Sequence, residues 1–326
     1  TQFPEPDFEF IAAGIPSMGT TPAAFRLERE ILANGEIDLL FEEAAVNDAS
    51  NGRATVEQIR AMEGIIRHCL ESNPHMDIVM MHFVDPDKMT SYNQGREPEV
   101  IINHNRVAEH YDIPTINLAR EVTERINNGE FTWEDDFKDL HPSPFGQGIY
   151  ARSIICFLSG AWSGSIDRND KIEDRLLPEK IDNYCYDKGY LIDINAAKLT
   201  DSWQIDPFWN PKDGTGTRAN FVNVPMLIGD VPGTALSLEF EGSAIGIAVA
   251  AGRDAGIIEY RIDNGEWKIL DLFTLWSSQL HLPWYYTLTG ELSRNEHLIE
   301  IRLANIEGGA NLSKACRIRY FYTNKF

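Results

Sequence analysis

The hydrophobic and polar positions of the first half of the chain alternate between two periods. Short, mostly apolar runs predict strands of the kind buried in a parallel sheet, at Phe8–Ile11, 37–41, Ile78–Met81 and 113–118. Apolar residues at helical spacing predict four helices, through Phe25 to Leu32, from Thr55 to Cys69, from Pro98 to Val107 and from Phe145 to Leu158. Strands that alternate with such helices predict an α/β fold with a mostly parallel, helix-covered sheet.

The second half of the chain has a period of two residues. Apolar and polar residues alternate over 235–241 and 299–303, and Asp263-Asn264-Gly265 is a hairpin signal between two short strands. Short strands without helices predict an all-β, jelly-roll-like sandwich, with Trp267 in its core. A polar stretch separates the halves. We therefore predict an α/β domain over 1–162, a linker over 163–180 and a β-sandwich domain over 181–326.

Composition narrows the class of partner. The 326 residues include 50 Asp and Glu against 29 Lys and Arg, for a formal charge of −21. Phosphate binding needs clustered basic residues, so this balance argues against nucleic acid or an anionic membrane surface as partner. The four cysteines lack metal-ligand or disulfide-framework spacing, which predicts mostly buried thiols and no metal site or cofactor; they are Cys69, Cys156, Cys185 and Cys316.

Three polar clusters follow predicted strands or precede a helix, where open α/β sheets bind ligands. The turn 14–21, with Ser17 and Gly19, offers backbone N–H groups to an oxyanion, and Asn47 at the end of the next strand offers a side-chain amide. In the third cluster Asp139 stands two residues before His141, as a general base and its orienting acid require. A plain βα loop, an Asn cap and a capping loop are the structural alternatives.

In this order the clusters resemble the blocks of the SGNH hydrolases, also called the GDSL-like lipase/acylhydrolase superfamily. That family has a Gly-containing turn, a Gly-x-Asn-Asp block and an Asp-x-x-His-Pro block, which correspond here to 14–21, 45–48 and 139–142. The resemblance covers about residues 5–160 and implies a flavodoxin-like, three-layer sheet. It implies that His141 is the general base and Asn47 an oxyanion donor, joined by a backbone N–H of the Ser17–Gly19 turn.

The chain departs from the family's blocks at two positions. Ala45 replaces the glycine of the second block, and Lys138 stands three residues before the histidine, where the family has its aspartate. The orienting carboxylate is therefore expected at Asp139, with Asp136 as the alternative.

The largest departure concerns the nucleophile, because the family's Gly-Asp-Ser segment after its first strand does not occur in the sequence. In the family that strand pairs between the two matched here by 8–11 and 37–41. Unpaired buried backbone groups cost on the order of 1–3 kcal/mol each, so we expect a first strand and a nucleophile loop upstream of Thr1. Ser17, in a turn that lacks one glycine of Gly-x-Ser-x-Gly, is a second candidate.

The resemblance implies a serine esterase that removes O-acyl groups, O-acetyl in particular, from a carbohydrate through an acyl-enzyme. The second half is similar to the accessory sandwiches of carbohydrate-directed members, and Trp276 and His281 are candidate substrate contacts there. The alternative function is a non-catalytic glycan-binding protein with a degenerate hydrolase domain. Carbohydrate esterases of this type are often exported, which favours a secreted or periplasmic location, whereas unpaired cysteines suit a reducing compartment equally well.

Overall fold

The structure is a computed structural model that describes residues 8–163, 174–305 and 314–326. The chain forms two compact units. The α/β unit consists of Gly19–Ala24 and Glu36–Asp187, and the β unit consists of Thr1–Met18, Phe25–Gly35 and Lys188–Phe326. Residues 164–173 of the predicted linker lie outside the described part of the chain.

The α/β unit contains a parallel sheet with the strand order β1–β2–β3. Leu40 of β1 lies opposite Ile78 of β2, and Met81 lies opposite Ile116 of β3. The strands are β1 (Leu39–Glu42), β2 (Asp77–Met81) and β3 (Thr115–Ile116). The helices are α1 (Thr20–Glu30), which the two units share, α2 (Ala45–Ser50), α3 (Thr55–Ser72), α4 (Pro86–Asn93), α5 (Glu99–His110), α6 (Leu118–Asn127) and α7 (Pro144–Ala161).

The predicted helices form, and local chemistry explains their limits. Ile59, Met62, Ile66 and Cys69 of α3 are buried, as their spacing predicts, and burial extends around this helix from Gln58 to Arg67. Helix α7 begins at Pro144, which needs no N–H at the first helical position, and the Ser143 hydroxyl accepts the Gly146 N–H at 3.3 Å.

Two of the predicted strands are wrong in whole or in part. Residues 8–11 form no strand, and Phe10 is 86% exposed. A strand needs a neighbour to satisfy its backbone, and within the described chain β1 has only β2 beside it. The strand predicted over 113–118 is reduced to β3, because the Asn117 side chain accepts the Arg120 N–H at 2.9 Å and starts α6.

The last segment of the α/β unit, residues 174–187, is held against α3 by a buried carboxylate. Glu63 accepts the backbone N–H groups of Ile181 and Asp182 at 2.6 and 2.9 Å and the Tyr111 hydroxyl at 2.6 Å. Beside it, Gly64 allows the backbone of Tyr186 to approach, since a Cβ there would lie 2.5 Å from the Tyr186 carbonyl carbon. A side chain at position 64 would therefore push this segment away from α3.

The β unit is an antiparallel sandwich of a four-stranded sheet, β10–β9–β12–β7, and a six-stranded sheet, β11–β8–β13–β6–β5 with β4 beside β13. The strands are β4 (Gly189–Ile192), β5 (Trp203–Trp209), β6 (Val224–Gly229), β7 (Leu236–Glu241), β8 (Ile245–Ala251), β9 (Ile257–Ile262), β10 (Lys268–Asp271), β11 (Leu282–Thr289), β12 (Glu296–Leu303) and β13 (Cys316–Asn324). Leu236, Leu238 and Phe240 point into the core as the alternation predicts. The predicted combination of an α/β fold and an all-β sandwich is confirmed.

The hairpin predicted at Asp263-Asn264-Gly265 joins β9 to β10. Asp263 and Asn264 have φ angles of 51° and 58°, and the Gly265 N–H donates to the Ile262 carbonyl at 2.8 Å. Trp267, expected in the core, is only half-buried. The guanidinium carbons of Arg261 and Arg302 lie 4.7 and 4.2 Å from its ring centroid, so the indole is covered by cations instead.

The four thiols differ in environment. Cys69, Cys185 and Cys316 are buried, as predicted, and burial raises the pKa of each thiol to about 12. Cys156 is exposed on α7. No helix in the described part of the chain is long and apolar enough to cross a membrane.

We expect Gly64→Ala to lower the free energy of unfolding by about 1–3 kcal/mol, because the new methyl group would collide with the backbone at Tyr186. Urea unfolding measures this change. Gly148→Ala on α7 is the matched control, since the nearest atom to its Cβ is 3.7 Å away and alanine favours helices. Equal stability of the two variants would contradict the proposed packing.

Candidate active site

The carboxyl ends of β1 and β2 carry a group of buried polar side chains. Glu42 and Asp48 are buried at or just after β1, and His82 and Asp85 are buried after β2. Open parallel sheets bind ligands at this edge, because the loops and the helix N-termini that follow the strands meet there. This edge is therefore the candidate active site of the α/β unit.

Asp48 is the central carboxylate of this edge and is fully buried. Its oxygens accept the backbone N–H of Thr20 at 2.9 Å, the Thr20 hydroxyl at 2.7 Å and Nε2 of His104, 3.0 Å away. Gly19 leaves room for this carboxylate, since a Cβ there would lie 2.0 Å from Asp48 Oδ1. Asp48 therefore fixes the first turn of α1 against α2.

Two predicted oxyanion elements are thereby brought together. Asn47 immediately precedes Asp48 on α2 and is half-buried, and Gly19 precedes the Thr20 N–H that Asp48 accepts. The sequence analysis indicated Asn47 and Gly19 but assigned no role to Asp48 or to its partner His104. His104 is 56 residues from Asp48 and has no sequence neighbour that would mark it, whereas the Asn-Asp pair itself was visible.

Ser17 lies in the turn before α1 with a φ of 73°, a left-handed conformation that is uncommon for serine. Its Oγ accepts a hydrogen bond of 2.5 Å from Nη2 of Arg218, within the β unit. A guanidinium cannot take up a proton, so this contact does not activate Ser17 as a nucleophile.

His141 lies in the loop that leads into α7, and its side chain is 86% exposed. Its Nδ1 lies 3.7 Å from Asp139 Oδ1, and its backbone N–H donates to the same oxygen at 3.3 Å. Asp136 uses its carboxylate elsewhere, accepting the Thr132 N–H at 2.8 Å and the Thr132 hydroxyl at 3.1 Å. Among the described contacts, none joins His141 to Asn47.

Trp276 and His281, the candidate substrate contacts, both belong to the β unit. His281 is almost fully buried, and its Nε2 lies 3.2 Å from Asp213 Oδ1. Trp276 is 38% exposed in the turn that precedes His281. Three other tryptophans lie in strands of the β unit. Trp203 and Trp209 are buried, and Trp284 is half-buried.

A cavity of about 470 Å³ opens beside Asp48, within the α/β unit. Parts of α3, α4 and α5 line it, and most of the lining residues have polar side chains, including Arg53, Thr55, Lys88, Ser91 and Glu99. Lys88 is itself buried and forms an ion pair with Asp85. The volume and the lining suit a polar organic ligand of modest size.

Burial shifts the pKa of several groups at this edge. Burial raises the pKa of Glu42 well above its usual value, and the neighbouring Glu43 and Asp48 carboxylates raise it further. Burial lowers the pKa of His82 to about 4, so its imidazole is neutral at pH 7. Among the described residues, no three His, Cys, Asp or Glu side chains are placed to hold a metal ion.

We expect Gly19→Ala to lower the free energy of unfolding by about 1–3 kcal/mol, because the methyl group would displace the Asp48 carboxylate. Gly14→Ala is the matched control, since no atom lies within 4 Å of its Cβ. Urea unfolding of both variants measures the difference. A Gly19→Ala variant as stable as Gly14→Ala would show that Asp48 does not occupy this space.

Glu42 gives a pH-dependent expectation. Its folded-state pKa is raised, so the folded protein retains a proton that the unfolded chain releases above about pH 4.5, and stability falls as pH rises toward the folded-state pKa. Glu42→Gln should therefore be more stable than the wild type at pH 7, and the gap should close near pH 4. Urea unfolding at both pH values measures it, with Glu134→Gln, an exposed site, controlling for net charge. A gap that is constant with pH would contradict this expectation.

Residues 4–149 match the model of the GDSL-like lipase/acylhydrolase family. A search of curated proteins found no match.

Two similar solved structures are of a two-domain esterase active on acetylated mannans. One was co-crystallized with mannopentaose; it has 21% identity and a TM-score of 0.70, and the match covers 98% of this chain and 80% of that one. The other has 20% identity and a TM-score of 0.72, over 98% of this chain and 81% of that one. These matches extend the likeness of fold to both halves of the chain. Over residues 4–149 the chain is similar to the GDSL-like lipase/acylhydrolase family.

Proposed function

We propose that this protein is a serine esterase that removes O-acetyl groups from a neutral carbohydrate of the mannan type. The observation that carries the proposal is the buried Asp48, which joins the turn at Gly19 and Thr20 to the helix that bears Asn47. The backbone turn and the helix that bears the Asn47 amide are thereby held together, and donors of these two kinds can bind a carbonyl oxygen as its negative charge develops. The family match and the fold shared with mannan esterases support the ester and the carbohydrate, respectively.

The proposed reaction has two steps. A serine Oγ attacks the acetyl carbonyl carbon while His141 takes the hydroxyl proton, and Asn47 with a backbone N–H of the turn binds the oxyanion. The sugar oxygen leaves with the proton from His141. A water molecule then gives a proton to His141 and attacks the acyl carbon. The ester bond to the serine breaks, acetate is released, and His141 returns the proton to the serine oxygen.

Asp139 is the proposed orienting acid, because its carboxylate lies beside His141 Nδ1 whereas the Asp136 carboxylate bonds to Thr132. A carboxylate near Nδ1 favours the tautomer whose Nε2 accepts the serine proton. His141 is held only by its own loop among the described contacts, so substrate and nucleophile would complete its surroundings.

The proposed nucleophile is a serine on a strand that pairs with the second edge of β1, as the family resemblance implies. Leu39, Leu40 and Phe41 of β1 are half-buried, and within the described residues only β2 pairs with this strand. A further parallel strand would satisfy that edge and end beside Glu42 and Asn47, at the carboxyl edge of the sheet.

The charge of the protein favours an uncharged substrate. A formal charge of −21 repels polyanionic glycans, and the cavity beside Asp48 has hydroxyl, carboxylate and cationic groups that suit sugar hydroxyls. An O-acetylated neutral sugar meets both conditions.

The test is acetate release from acetylated mannooligosaccharides by the natural full-length protein. We expect His141→Ala to lower kcat by about 10³-fold or more, and Asn47→Ala by about 10²–10³-fold, because the first removes the base and the second an oxyanion donor. His75→Ala is the matched control, since His75 is exposed before β2, at the opposite edge of the sheet. Full activity of His141→Ala would contradict the mechanism. Absence of any acetate release, with glycan binding retained, would favour the non-catalytic alternative.

A further inference from the structure

A carboxylate at the end of β1 joins two loops of the candidate active site. Glu43 directly follows β1 and is partly buried, and its Oε1 accepts the backbone N–H of Val46 at 3.3 Å and that of Phe83 at 3.4 Å. Val46 lies in the first turn of α2, whereas Phe83 lies in the loop after β2. A single side chain thus connects the carboxyl ends of two neighbouring strands.

The first turn of α2 takes a hydrogen-bond acceptor from Glu43 rather than from the N-cap residue. Ala44 occupies the N-cap position, and its methyl group cannot accept a hydrogen bond, although the first N–H groups of a helix have no acceptor within the helix. Helix α2 has six residues, and Asn47 is its third. The bond from Val46 to Glu43 therefore fixes the backbone immediately before Asn47.

The loop after β2 is held in turn by α7. The Phe83 ring stacks on the Tyr150 ring with 4.7 Å between the centroids, and the Tyr150 hydroxyl accepts the Val84 N–H at 3.1 Å. Tyr150 lies on α7. Through Phe83, Glu43 therefore ties the turn that bears Asn47 to a loop that packs on α7.

A buried cation favours the charged form of Glu43. Burial raises the pKa of Glu43 above its usual value, while the Lys88 ammonium and the two backbone N–H groups oppose this shift and favour the ionised carboxylate. Lys88 is itself buried, and Asp85 holds it through an ion pair and accepts its backbone N–H at 2.9 Å. Because an ionised carboxylate is the stronger acceptor, Lys88 strengthens the connection between the two loops.

We propose that Glu43 is a positioning residue, which holds the first turn of α2 so that the Asn47 amide faces the oxyanion of the acetyl ester. The inference rests on the proposed function, because it takes Asn47 as an oxyanion donor. In this role Glu43 transfers no proton and touches no substrate. It acts through the backbone that carries Asn47, and a displacement of about 1 Å in a positioned group can lower the rate about 10²-fold.

Acetate release from acetylated mannooligosaccharides by the natural full-length protein tests this role through a double-mutant cycle. We expect Glu43→Ala to lower kcat about 10- to 100-fold at unchanged KM, because the contact matters in the transition state. Glu43→Gln should lower kcat less than about threefold, since the glutamine carbonyl still accepts both N–H groups. In an Asn47→Ala background, Glu43→Ala should cost less than about twofold more, because Glu43 acts through that amide.

Glu63→Ala is the matched control, because Glu63 is also a buried carboxylate that accepts two backbone N–H groups, those of Ile181 and Asp182. It should lower the melting temperature yet leave kcat unchanged. Hydrogen exchange of the peptide that covers 44–50 reports the contact without turnover, and it should be faster in Glu43→Ala than in the wild type.

Three results would overturn the inference: wild-type kcat in a folded Glu43→Ala, losses from Glu43→Ala and Asn47→Ala that multiply in the double variant, or unchanged exchange over 44–50. Glu43→Asp withdraws the carboxylate by one methylene but keeps its charge. It should lower kcat about tenfold, and it replaces Glu43→Ala in the cycle if that variant does not fold.

The outcomes also separate this inference from the proposed function. A wild-type protein that releases no acetate would remove the proposed function and the role of Glu43 together. Acetate release that requires Asn47 and tolerates Glu43→Ala would leave the esterase standing and remove only the role of Glu43.

Discussion

The candidate active site depends on one buried carboxylate. Asp48 lies where a strand ends and where two helices begin, and its oxygens accept two donors from Thr20 and contact His104. A buried carboxyl group without hydrogen-bond partners is costly, so the contacts with the Thr20 turn favour keeping the turn and the helix together. The same contact requires glycine at position 19, where any side chain would occupy the carboxylate's space. The contact between the turn and the helix is therefore favoured by the cost of leaving one buried side chain without partners.

Much of the fold could be predicted because its signals are local. The spacing of apolar residues in α3 and the alternation in β7 each describe how one segment meets the core, and both are confirmed. The prediction of a strand at 8–11 was wrong because a strand also depends on non-local contacts. Its residues have strand-like composition, but a strand forms only where a neighbour is available, and composition does not report the neighbour. The prediction that Trp267 lies in the core was wrong for a similar reason, because two arginines on adjacent strands cover its ring.

The residues of the candidate site likewise fall into those that local motifs mark and those that only long-range contacts identify. Asn47, Gly19 and His141 lie in short motifs that the sequence displays, although their roles stay predictions. His104 and Arg218 meet their partners from 56 and 201 residues away, and nothing in their own neighbourhoods marks them. Long-range pairs of this kind depend on tertiary placement, which periodicity and spacing do not encode.

The four thiols differ in accessibility, so thiol reagents can modify one cysteine selectively. Thiolates, rather than thiols, react with electrophiles, and the three enclosed cysteines hold their protons far above neutral pH. Only Cys156 is open to reagents, and it lies on the helix that begins three residues after His141. A spectroscopic label attached by ordinary maleimide chemistry would thus react at one position, on the helix that follows the loop of His141.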